Sequence, residues 1–328
     1  MLAAYYTRTG PAREVLTVGE IETPAAGPGE VRVRLAMSGV NPSDVKTRGG
    51  VRSRELPFPR IVPHSDGAGV IDQAGDGVPP ARVGERVWVW NAAWGRPHGT
   101  AAQFVVLPAQ QAVPLPPATS FEAGACLGIP ALTAYHAVHC NGGVAGRTVL
   151  VAGGAGAVGH YAVQFAKIAG ASRVIASVSG AAKASLARDA GADVAVNYRT
   201  DDVAQCCLDL TAGTGVDRIV ELDLAANLKT DLAALRRDGE ITVYGSSLPE
   251  IPVPFFPAIL KNVRLQYFIV YNLSDADRKA ALAGVTALLK QDRLQHNIDS
   301  RLPLDRIAEA HERVESGKAL GNVVIDTA

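Results

Sequence analysis

The sequence has few features of a secreted, membrane-spanning or nucleic-acid-binding protein. Only four cysteines occur in 328 residues, and none belongs to a C-x-x-C pair: Cys126, Cys140, Cys206 and Cys207. The 32 basic and 32 acidic residues cancel, so no excess charge favours nucleic acid or an anionic membrane. No uncharged apolar run reaches the roughly 18 residues of a transmembrane helix, and no apolar signal core precedes Arg8. These absences predict a cytoplasmic protein that does not bind nucleic acid or membranes.

The sequence does contain a glycine-rich turn between a buried strand and a helix. Residues 149–151 form an apolar run (Val-Leu-Val), as expected of a strand covered on both faces. A G-x-G-x-x-G pattern follows at Gly154, Gly156 and Gly159, and then a helical pattern and a second strand at 173–178. In this context the glycines allow a tight turn, the approach of a pyrophosphate and close packing of helix on sheet. The stretch predicts a dinucleotide-binding site, with a purely structural turn as the alternative.

The end of the second strand favours NADP(H) over NAD(H). An NAD site usually has Asp or Glu about 20 residues after the glycine motif, where it binds the ribose 2′-hydroxyl. Residues 176–183 contain no acid and offer Ser179, Gly180 and Lys183 instead. A hydroxyl and a cation suit a 2′-phosphate, which a carboxylate would repel. A solvated lysine at a helix start is the simpler interpretation of Lys183, but it leaves the missing acid unexplained.

The rest of the chain shows two kinds of pattern, and its length suggests two domains. Residues 1–117 read as short strands separated by Gly, Pro and Asn, which predicts a small barrel. Residues 121–254 alternate helical patterns, the first at 121–140, with short apolar strands. That alternation predicts a parallel sheet covered by helices. The predicted fold class is therefore α/β with an additional β-rich domain.

Motifs from one end of the chain to the other point to one family. They are residues 38–44 (SGVNPSD), 63–69 (PHSDGAG), 128–135 (GIPALTAY), the glycine turn, 197–199 (NYR), Glu221 and Gly245-Ser246. Together they resemble the medium-chain dehydrogenase/reductase superfamily, and within it the zinc-free quinone oxidoreductase (zeta-crystallin-like) branch. The resemblance implies a GroES-like catalytic domain at 1–120 and 261–328. It also implies an inserted Rossmann domain, a doubly wound parallel sheet that binds NADP(H), at 121–260, and a homodimer.

The resemblance also assigns roles to individual residues. Asn41, Asp44 and Lys46 are implied to face the substrate in a cleft between the domains. Simpler interpretations stay open, namely a turn at Asn41-Pro42, a helix cap for Asp44 and strand packing for Tyr198. Residues implied to contact the cofactor's diphosphate, 2′-phosphate or nicotinamide side are Gly154, Ala155, Gly156, Ala157, Val158, Gly159, Ser179, Lys183, Tyr198, Arg199, Tyr244, Gly245, Ser246, Phe268, Ile269, Val270 and Asn322.

Two residues depart from the family pattern. Lys46 stands where relatives often have Tyr; it cannot stack on a quinone as a phenol does, although it could pair with an anion. His64 stands where relatives typically have Gly. Both departures concern the substrate preference and leave the cofactor site unchanged.

The ligands of zinc-dependent relatives are missing from their expected places. Where those relatives have Cys and a His-Glu pair, this chain has Asn41 and Ser65-Asp66, and residues 89–99 lack the cysteines of a structural zinc lobe. Since zinc needs three or four N, S or O ligands, no metal site is predicted. The alternative is His136-x-x-His139-Cys140, which would take its ligands from one helical turn without a clear fourth.

Without a metal Lewis acid, alcohol oxidation loses its usual means of stabilising an alkoxide. Hydride delivery from NADPH to an electron-poor acceptor remains feasible, and the resemblance implies a quinone as that acceptor. An α,β-unsaturated carbonyl (alkenal or enoyl) substrate is the alternative among enzymes. A crystallin-like protein that binds NADPH with little catalysis is the alternative from another class.

Overall fold

The computed structural model describes residues 1–51 and 53–328, which fall into two units. The β-rich unit consists of Met1–Pro130 and Thr286–Ala328, and the parallel-sheet unit consists of Ala131–Val285. The two chain ends therefore belong to the same unit. Within the described residues, no helix combines the length and the apolar character needed to cross a membrane.

The strands and helices are numbered separately in chain order. The strands are β1 (Leu2–Tyr5), β2 (Thr17–Glu20), β3 (Glu30–Val40), β4 (Asp66–Ala74), β5 (Arg86–Val89), β6 (Phe104–Pro108), β7 (Ala112–Pro114), β8 (Thr148–Val151), β9 (Arg173–Val178), β10 (Val194–Asn197), β11 (Val216–Glu221), β12 (Leu235–Val243), β13 (Arg264–Tyr267), β14 (Ile298–Pro303) and β15 (Asn322–Asp326). The α-helices are α1 (Ala12–Val15), α2 (Pro42–Arg48), α3 (Phe121–Gly124), α4 (Leu132–His139), α5 (Ala157–Ile168), α6 (Ala181–Asp189), α7 (Val203–Leu210), α8 (Leu224–Ala234), α9 (Phe255–Ile259), α10 (Asp275–Lys290) and α11 (Ile307–Glu315).

Strand β3 organises the β-rich unit. It pairs antiparallel with β4, β6 and β15, and β15 in turn pairs in parallel with β14. Alternate side chains of β3 are buried, as the two-residue period of a strand requires: Val31, Val33, Leu35 and Met37. Both segments of the unit thus contribute to one sheet, because the C-terminal strand β15 lies directly against β3.

The parallel-sheet unit contains six strands in the order β10-β9-β8-β11-β12-β13. Every neighbouring pair is parallel, and the central strands are buried along nearly their whole length, as expected when helices cover both faces. The order reverses direction between β8 and β11, the place where doubly wound sheets have their binding crevice. The predicted α/β class with a parallel sheet is confirmed.

The unit boundaries differ from the predicted ones, 120/121 and 260/261. Helix α3 packs against β3 and β4, so the β-rich unit continues to Pro130. Strand β13 pairs with β12, from Arg264 opposite Glu240 to Tyr267 opposite Val243, so the parallel-sheet unit continues to Val285. The pairing of β13 with β12 determines the second boundary. The sequence does not show which sheet a short strand joins.

The helix predicted over 121–140 is three elements in the structure. Helix α3 ends at Gly124, a π-helical turn spans Leu127–Ala131, and α4 begins at Leu132. Pro130 lies inside the π-helical turn, where its missing N–H disrupts the regular α-helical ladder. Such turns often lie at functional sites, and this one is in contact with the buried Asp66, as described below.

Candidate functional site

The glycine-rich turn joins β8 to α5. Gly153 has a φ of +64°, and Gly156 is the N-cap of the 12-residue helix α5, for which no side-chain cap is described. A Cβ on Gly159 would collide with the carbonyl oxygen of Gly153, and one on Gly154 would lie 2.5 Å from the Cβ of Ala176. The turn therefore excludes side chains at Gly154 and Gly159, and the N–H groups at the start of α5 are suited to an anion.

The parallel sheet brings the predicted cofactor residues to one edge. Because its strands all run in the same direction, their carboxyl ends lie side by side. The residues that directly follow the strands are, in spatial order, Tyr198, Ser179, Ala152, Leu222, Tyr244 and Phe268. Most of the residues implied to bind the cofactor lie on this edge or in the loops and helix starts just beyond it.

The residues predicted to bind a 2′-phosphate lie at one end of this edge. Ser179 and Tyr198 follow neighbouring strands, and the Tyr198 N–H donates to the carbonyl oxygen of Val178 at 3.0 Å. Lys183 is in the first turn of α6. Tyr198 is 53% exposed and Arg199 is also exposed, so neither side chain is packed into the sheet. The group places hydroxyls and cations at the position where an NAD site would have an acid.

The residues predicted for the nicotinamide side lie after β12 and β13. The Tyr244 N–H donates to the carbonyl oxygen of Glu221 at 3.1 Å, and the Phe268 N–H donates to that of Val243 at 3.1 Å. The Phe268 ring centre is 6.4 Å from that of Tyr244 and 4.6 Å from that of His136. Burial, together with the Glu221 carboxyl group, raises the pKa of Tyr244. Tyr244 therefore remains a neutral phenol.

The loops beyond Tyr244 and Phe268 hold the remaining predicted residues of this side. Gly245 accepts a hydrogen bond from the Leu224 N–H at 3.2 Å, and the Ser246 hydroxyl donates to the carbonyl oxygen of Leu248 at 2.6 Å. Ile269 precedes a short 3₁₀ turn that begins at Val270. These residues have their polar groups engaged locally, so they would contribute shape and backbone contacts to a bound cofactor.

Asn41 and Asp44 lie at the start of α2, in the β-rich unit. Asn41 is the N-cap, and its backbone N–H donates to Asp44 Oδ2 at 2.8 Å. Both side chains are buried, with exposed fractions of 3% and 7%. The Asp44 carboxyl group is therefore part of the helix cap, which supports the simpler of its two interpretations. Lys46 is half-buried on the same helix.

Asp66, at the start of β4, binds both Asn41 and the π-helical turn. Its Oδ2 accepts from Asn41 Nδ2 at 2.8 Å and from the Ile129 N–H at 2.9 Å. Asp66 is fully buried, and burial raises the pKa of its carboxyl group, with a further increase from Asp44. The sequence motif contained Asp66, but sequence reasoning did not include it among the site residues. One signal was available. Asp66 is an acid that stands where zinc-dependent relatives have a metal ligand, in a chain that lacks the other ligands.

A chain of buried hydrogen bonds leads away from the Asp66 backbone. The Thr100 hydroxyl donates to the carbonyl oxygen of Asp66 at 2.5 Å, and Ser38 Oγ lies 2.8 Å from Thr100 Oγ1. Ser38 Oγ is also 2.8 Å from His64 Nδ1, and His64 Nε2 is 2.9 Å from His311 Nε2. All five residues are fully buried.

The Asp66 carbonyl oxygen, which can only accept, determines every proton position along this series of hydrogen bonds. Thr100 uses its only hydroxyl hydrogen on Asp66, so Ser38 must donate to Thr100. Ser38 must then accept from His64 Nδ1–H, which leaves His64 Nε2 to accept from His311 Nε2–H. His311 Nδ1 is then a lone-pair acceptor, and it has no hydrogen-bond partner among residues 1–51 and 53–328. Both imidazoles are neutral: burial lowers the pKa of His64 to about 3, and burial with nearby His64 and Arg48 lowers that of His311.

Asn322, the remaining residue implied to bind the cofactor, has a structural role in the β-rich unit. Its Nδ2 donates to the carbonyl oxygen of Asn297 at 3.0 Å, and its backbone N–H donates to the same oxygen at 2.9 Å. The side chain is 5% exposed. These contacts fix the start of β15 against the residues that precede β14.

The side chains present do not fit a zinc site. No three His, Cys, Asp or Glu residues are grouped for a metal ion in the part of the chain that the structure describes. At the alternative site, the buried Arg218 guanidinium donates to the Cys140 carbonyl oxygen at 3.0 Å and lies 3.9 Å from Cys140 Sγ. His139 Nδ1 is 2.9 Å from the carbonyl oxygen of Tyr135. A guanidinium beside these ligands would repel a second cation.

Two family models match the chain. Residues 27–117 match the alcohol dehydrogenase GroES-like domain, and residues 157–287 match the zinc-binding dehydrogenase model. The first match lies in the β-rich unit. The second begins at the start of α5 and ends inside α10.

Relatives of known name are similar over nearly the whole chain. An alcohol dehydrogenase of Geobacillus stearothermophilus is 29% identical, with 95% of this chain and 96% of that protein covered. A human quinone oxidoreductase is 28% identical, with 95% and 94% covered. Among solved structures, an NAD-dependent alcohol dehydrogenase has a TM-score of 0.91 at 30% identity and full coverage of both chains. A mycobacterial protein complexed with NADPH has a TM-score of 0.87 at 30% identity, with 99% and 100% covered.

The hydrogen-bonded pair His64 and His311 predicts a loss of stability in acid. They are neutral in the folded protein, whereas an unfolded histidine has a pKa of about 6.5, so the unfolded chain binds more protons as the pH falls below that value. We expect each histidine to lower the free energy of unfolding by about 2 kcal/mol between pH 7.5 and pH 5. His311→Gln should reduce the pH dependence by that amount in urea titrations at the two pH values.

Ser38→Ala is the matched control for this prediction. It removes a member of the same hydrogen-bonded chain without removing a titrating group. Its stability should be lower than that of the unmodified protein at both pH values, with an unchanged difference between them. An unaltered pH dependence in His311→Gln would contradict the assignment of His311 as a buried neutral imidazole.

Proposed function

Because the chain belongs to the medium-chain dehydrogenase/reductase superfamily, we propose that it is an NADPH-dependent oxidoreductase that transfers hydride to a quinone without a bound metal ion. The observation that carries this proposal is the carboxyl edge of the parallel sheet. There a turn that admits no side chain at Gly154 or Gly159 stands beside Ser179, Lys183 and Tyr198, and residues 176–183 contain no acid. Among the named relatives, the human quinone oxidoreductase and the NADPH complex agree with this assignment.

The residues of the edge fit NADPH in three places. The N–H groups at the start of α5 would hold the diphosphate, and Ser179, Lys183, Tyr198 and Arg199 would surround the 2′-phosphate. Tyr244, Gly245 and residues 268–270 would flank the nicotinamide. Bound there, NADPH supplies the hydride. The protein's part is to bind and orient the cofactor and the acceptor.

The choice of acceptor follows from the missing ligands. One relative is an alcohol dehydrogenase and one matching family model is named for zinc binding, but the place of the metal ligands holds Asn41, Ser65 and Asp66. A quinone needs no Lewis acid, because the hydroquinone anion formed on hydride transfer is already stabilised by its ring. The Asn41 amide would donate a hydrogen bond to the acceptor carbonyl oxygen, and Lys46 would influence which acceptors bind.

We expect tighter binding of NADPH than of NADH, and Lys183→Ala should narrow the difference. A charge-assisted hydrogen bond to a phosphate contributes roughly 1.5–3 kcal/mol, which corresponds to about ten- to a hundredfold in Kd. Titration calorimetry with both cofactors measures the difference directly. Lys167→Ala is the matched control, because Lys167 lies in α5 and pairs with Asp193 at 2.8 Å. Equal affinities of the unmodified protein for NADH and NADPH would contradict the assignment of the 2′-phosphate site.

Stopped-flow oxidation of NADPH tests the reaction and separates the three candidate functions. We expect turnover with a benzoquinone or naphthoquinone, unaffected by chelator, in protein that elemental analysis shows to be free of stoichiometric zinc. Turnover with an alkenal or enoyl substrate but no quinone would favour the enone reductase. Binding without turnover of either substrate would favour a crystallin-like protein. One tightly held zinc ion per chain, lost together with activity, would contradict the metal-free reaction.

We also propose that the chain forms a homodimer through strand β13. This strand is at the edge of the six-stranded sheet, and an exposed edge is a template for pairing with a second copy about a twofold axis. Exposed apolar side chains accompany it: Phe255 (65%), Phe256 (71%), Ile259 (51%), Leu260 (70%) and Tyr267 (55%). A monomer seldom leaves so many large apolar side chains together in water.

Phe256→Asp should shift the dimer towards monomer, because it places a charge in a desolvated contact. Sedimentation equilibrium measures the dissociation constant, and we expect it to rise at least about tenfold. Val83→Asp, at a 50% exposed position of the β-rich unit, is the control and should leave the dimer intact. A monomeric unmodified protein at micromolar concentration would exclude this interface.

A further inference from the structure

We propose that Asp66 is a positioning residue, whose carboxyl group fixes the orientation of the Asn41 amide for hydrogen bonding to the acceptor. The inference rests on the proposed function in assigning Asn41 to the acceptor. It adds Asp66, which takes no direct part in the proposed hydride transfer and acts through Asn41. The observation behind it is that a single oxygen of the Asp66 carboxyl group accepts from two groups, Asn41 Nδ2 at 2.8 Å and the Ile129 N–H at 2.9 Å.

Asp66 connects three segments that are separate in the sequence. It is the first residue of β4, Asn41 caps α2, and Ile129 lies within the π-helical turn Leu127–Ala131. Its own backbone is fixed, since it pairs with Gly39 in the β3–β4 ladder and accepts the Thr100 hydroxyl. A buried carboxyl group on a fixed backbone has few rotamers available. The groups that donate to it are therefore held in place as well.

Asn41 is held at both ends of the residue. The Asp44 carboxyl group accepts from its backbone N–H, and the Asp66 carboxyl group accepts from its side-chain amide. An Asn amide has two N–H bonds, and the bond to Asp66 uses one of them. The torsion about the Cβ–Cγ bond is broad in an unrestrained Asn. The Asp66 contact, together with the capping-box contact between the Asn41 side chain and the Asp44 backbone, determines where the second N–H points.

The contacts also indicate which chemical property of Asp66 is needed. Its Oδ1 has no hydrogen-bond partner among the described residues, no cation is paired with it in the ion pairs found there, and burial favours the neutral acid. The working group is therefore one acceptor oxygen at the position of Oδ2. An amide oxygen can supply it, and a methyl group cannot.

This reasoning gives a test with a rescue variant and a matched control. Asp66→Ala removes the acceptor oxygen, and Asp66→Asn restores it. Thr100→Val is the control, because it removes the buried hydrogen bond from the Thr100 hydroxyl to the backbone carbonyl oxygen of Asp66. The readouts are the thermal midpoint, the NADPH Kd, the acceptor KM and the single-turnover rate of NADPH oxidation. A further readout is the Asn41 side-chain amide signal in ¹⁵N-correlated spectra, assigned from its loss in Asn41→Ser.

We expect Asp66→Ala to raise the acceptor KM about ten- to a hundredfold or to slow single turnover by a similar factor, because misplacing a binding group by about 1 Å can cost up to about a hundredfold. Its NADPH Kd should stay within about twofold of the unmodified value, since the proposed NADPH residues on the sheet edge are untouched. Asp66→Asn should recover most of the loss. Thr100→Val should lower the thermal midpoint while keeping the acceptor KM.

The inference is overturned if Thr100→Val and Asp66→Ala change the acceptor KM equally, since the role would then be structural only. It is also overturned if Asp66→Asn is as defective as Asp66→Ala. The amide signal separates this inference from the proposed function. The Asn41 amide protons should exchange slowly in the unmodified protein and in Asp66→Asn, and rapidly in Asp66→Ala. That result would support the positioning role even if no quinone were reduced. Fast exchange in the unmodified protein would overturn the positioning role whatever the substrate.

Discussion

The parallel direction of β8 to β13 is the constraint on which the candidate cofactor site depends. Residues 152 and 268 are far apart in the chain, yet each follows a strand of one sheet whose carboxyl ends lie at a single edge. The spatial order of the strands then distributes the chemistry along that edge, from Ser179 and Tyr198 at one end to Tyr244 and Phe268 at the other. Close packing at the Gly153–Gly159 contact holds α5 against this edge. A side chain at Gly159 would move the start of the helix away from the position a diphosphate needs.

Buried polar groups in both units are held by contacts that require particular partners. Arg218 and Glu240 are almost fully buried and lie 2.8 Å apart, and Arg218 also donates to carbonyl oxygens at the end of α4. Breaking such a pair leaves one unpaired buried charge and costs about 3–5 kcal/mol. The same arrangement that stabilises α4 places a cation beside Cys140. Asp66 is a contrasting case, because it is buried without a cation and is compensated by two N–H donors.

The sequence predicted the features that depend on local patterns. The glycine turn, the strand–helix alternation and the acid-free end of β9 each depend on residues that are close together in the sequence. The structure contains all three features. The contacts of Asp66 with Asn41 and of His64 with His311 span 25 and 247 residues, and no short-range pattern indicates them. The placement of β13 was missed for the same reason, since its partner strand is determined by tertiary pairing. The π-helical turn was missed because a single Pro130 in an otherwise helical pattern does not show how the helix will be interrupted.

His64 illustrates how a departure from the family pattern can be compensated within one chain. Its φ of +76° lies in the left-handed region, which glycine, the residue typical of relatives, occupies without strain and which costs other residues roughly 1–2 kcal/mol. The imidazole makes two hydrogen bonds, to Ser38 and His311, and each contributes about 0.5–1.5 kcal/mol. The balance is close to zero, so stability alone gives little reason to prefer histidine over glycine here. Once His64 is present, however, a return to glycine would leave the His311 N–H buried without an acceptor. The two histidines, 247 residues apart in sequence, therefore act as one unit that joins β3 and the segment just before β4 to α11.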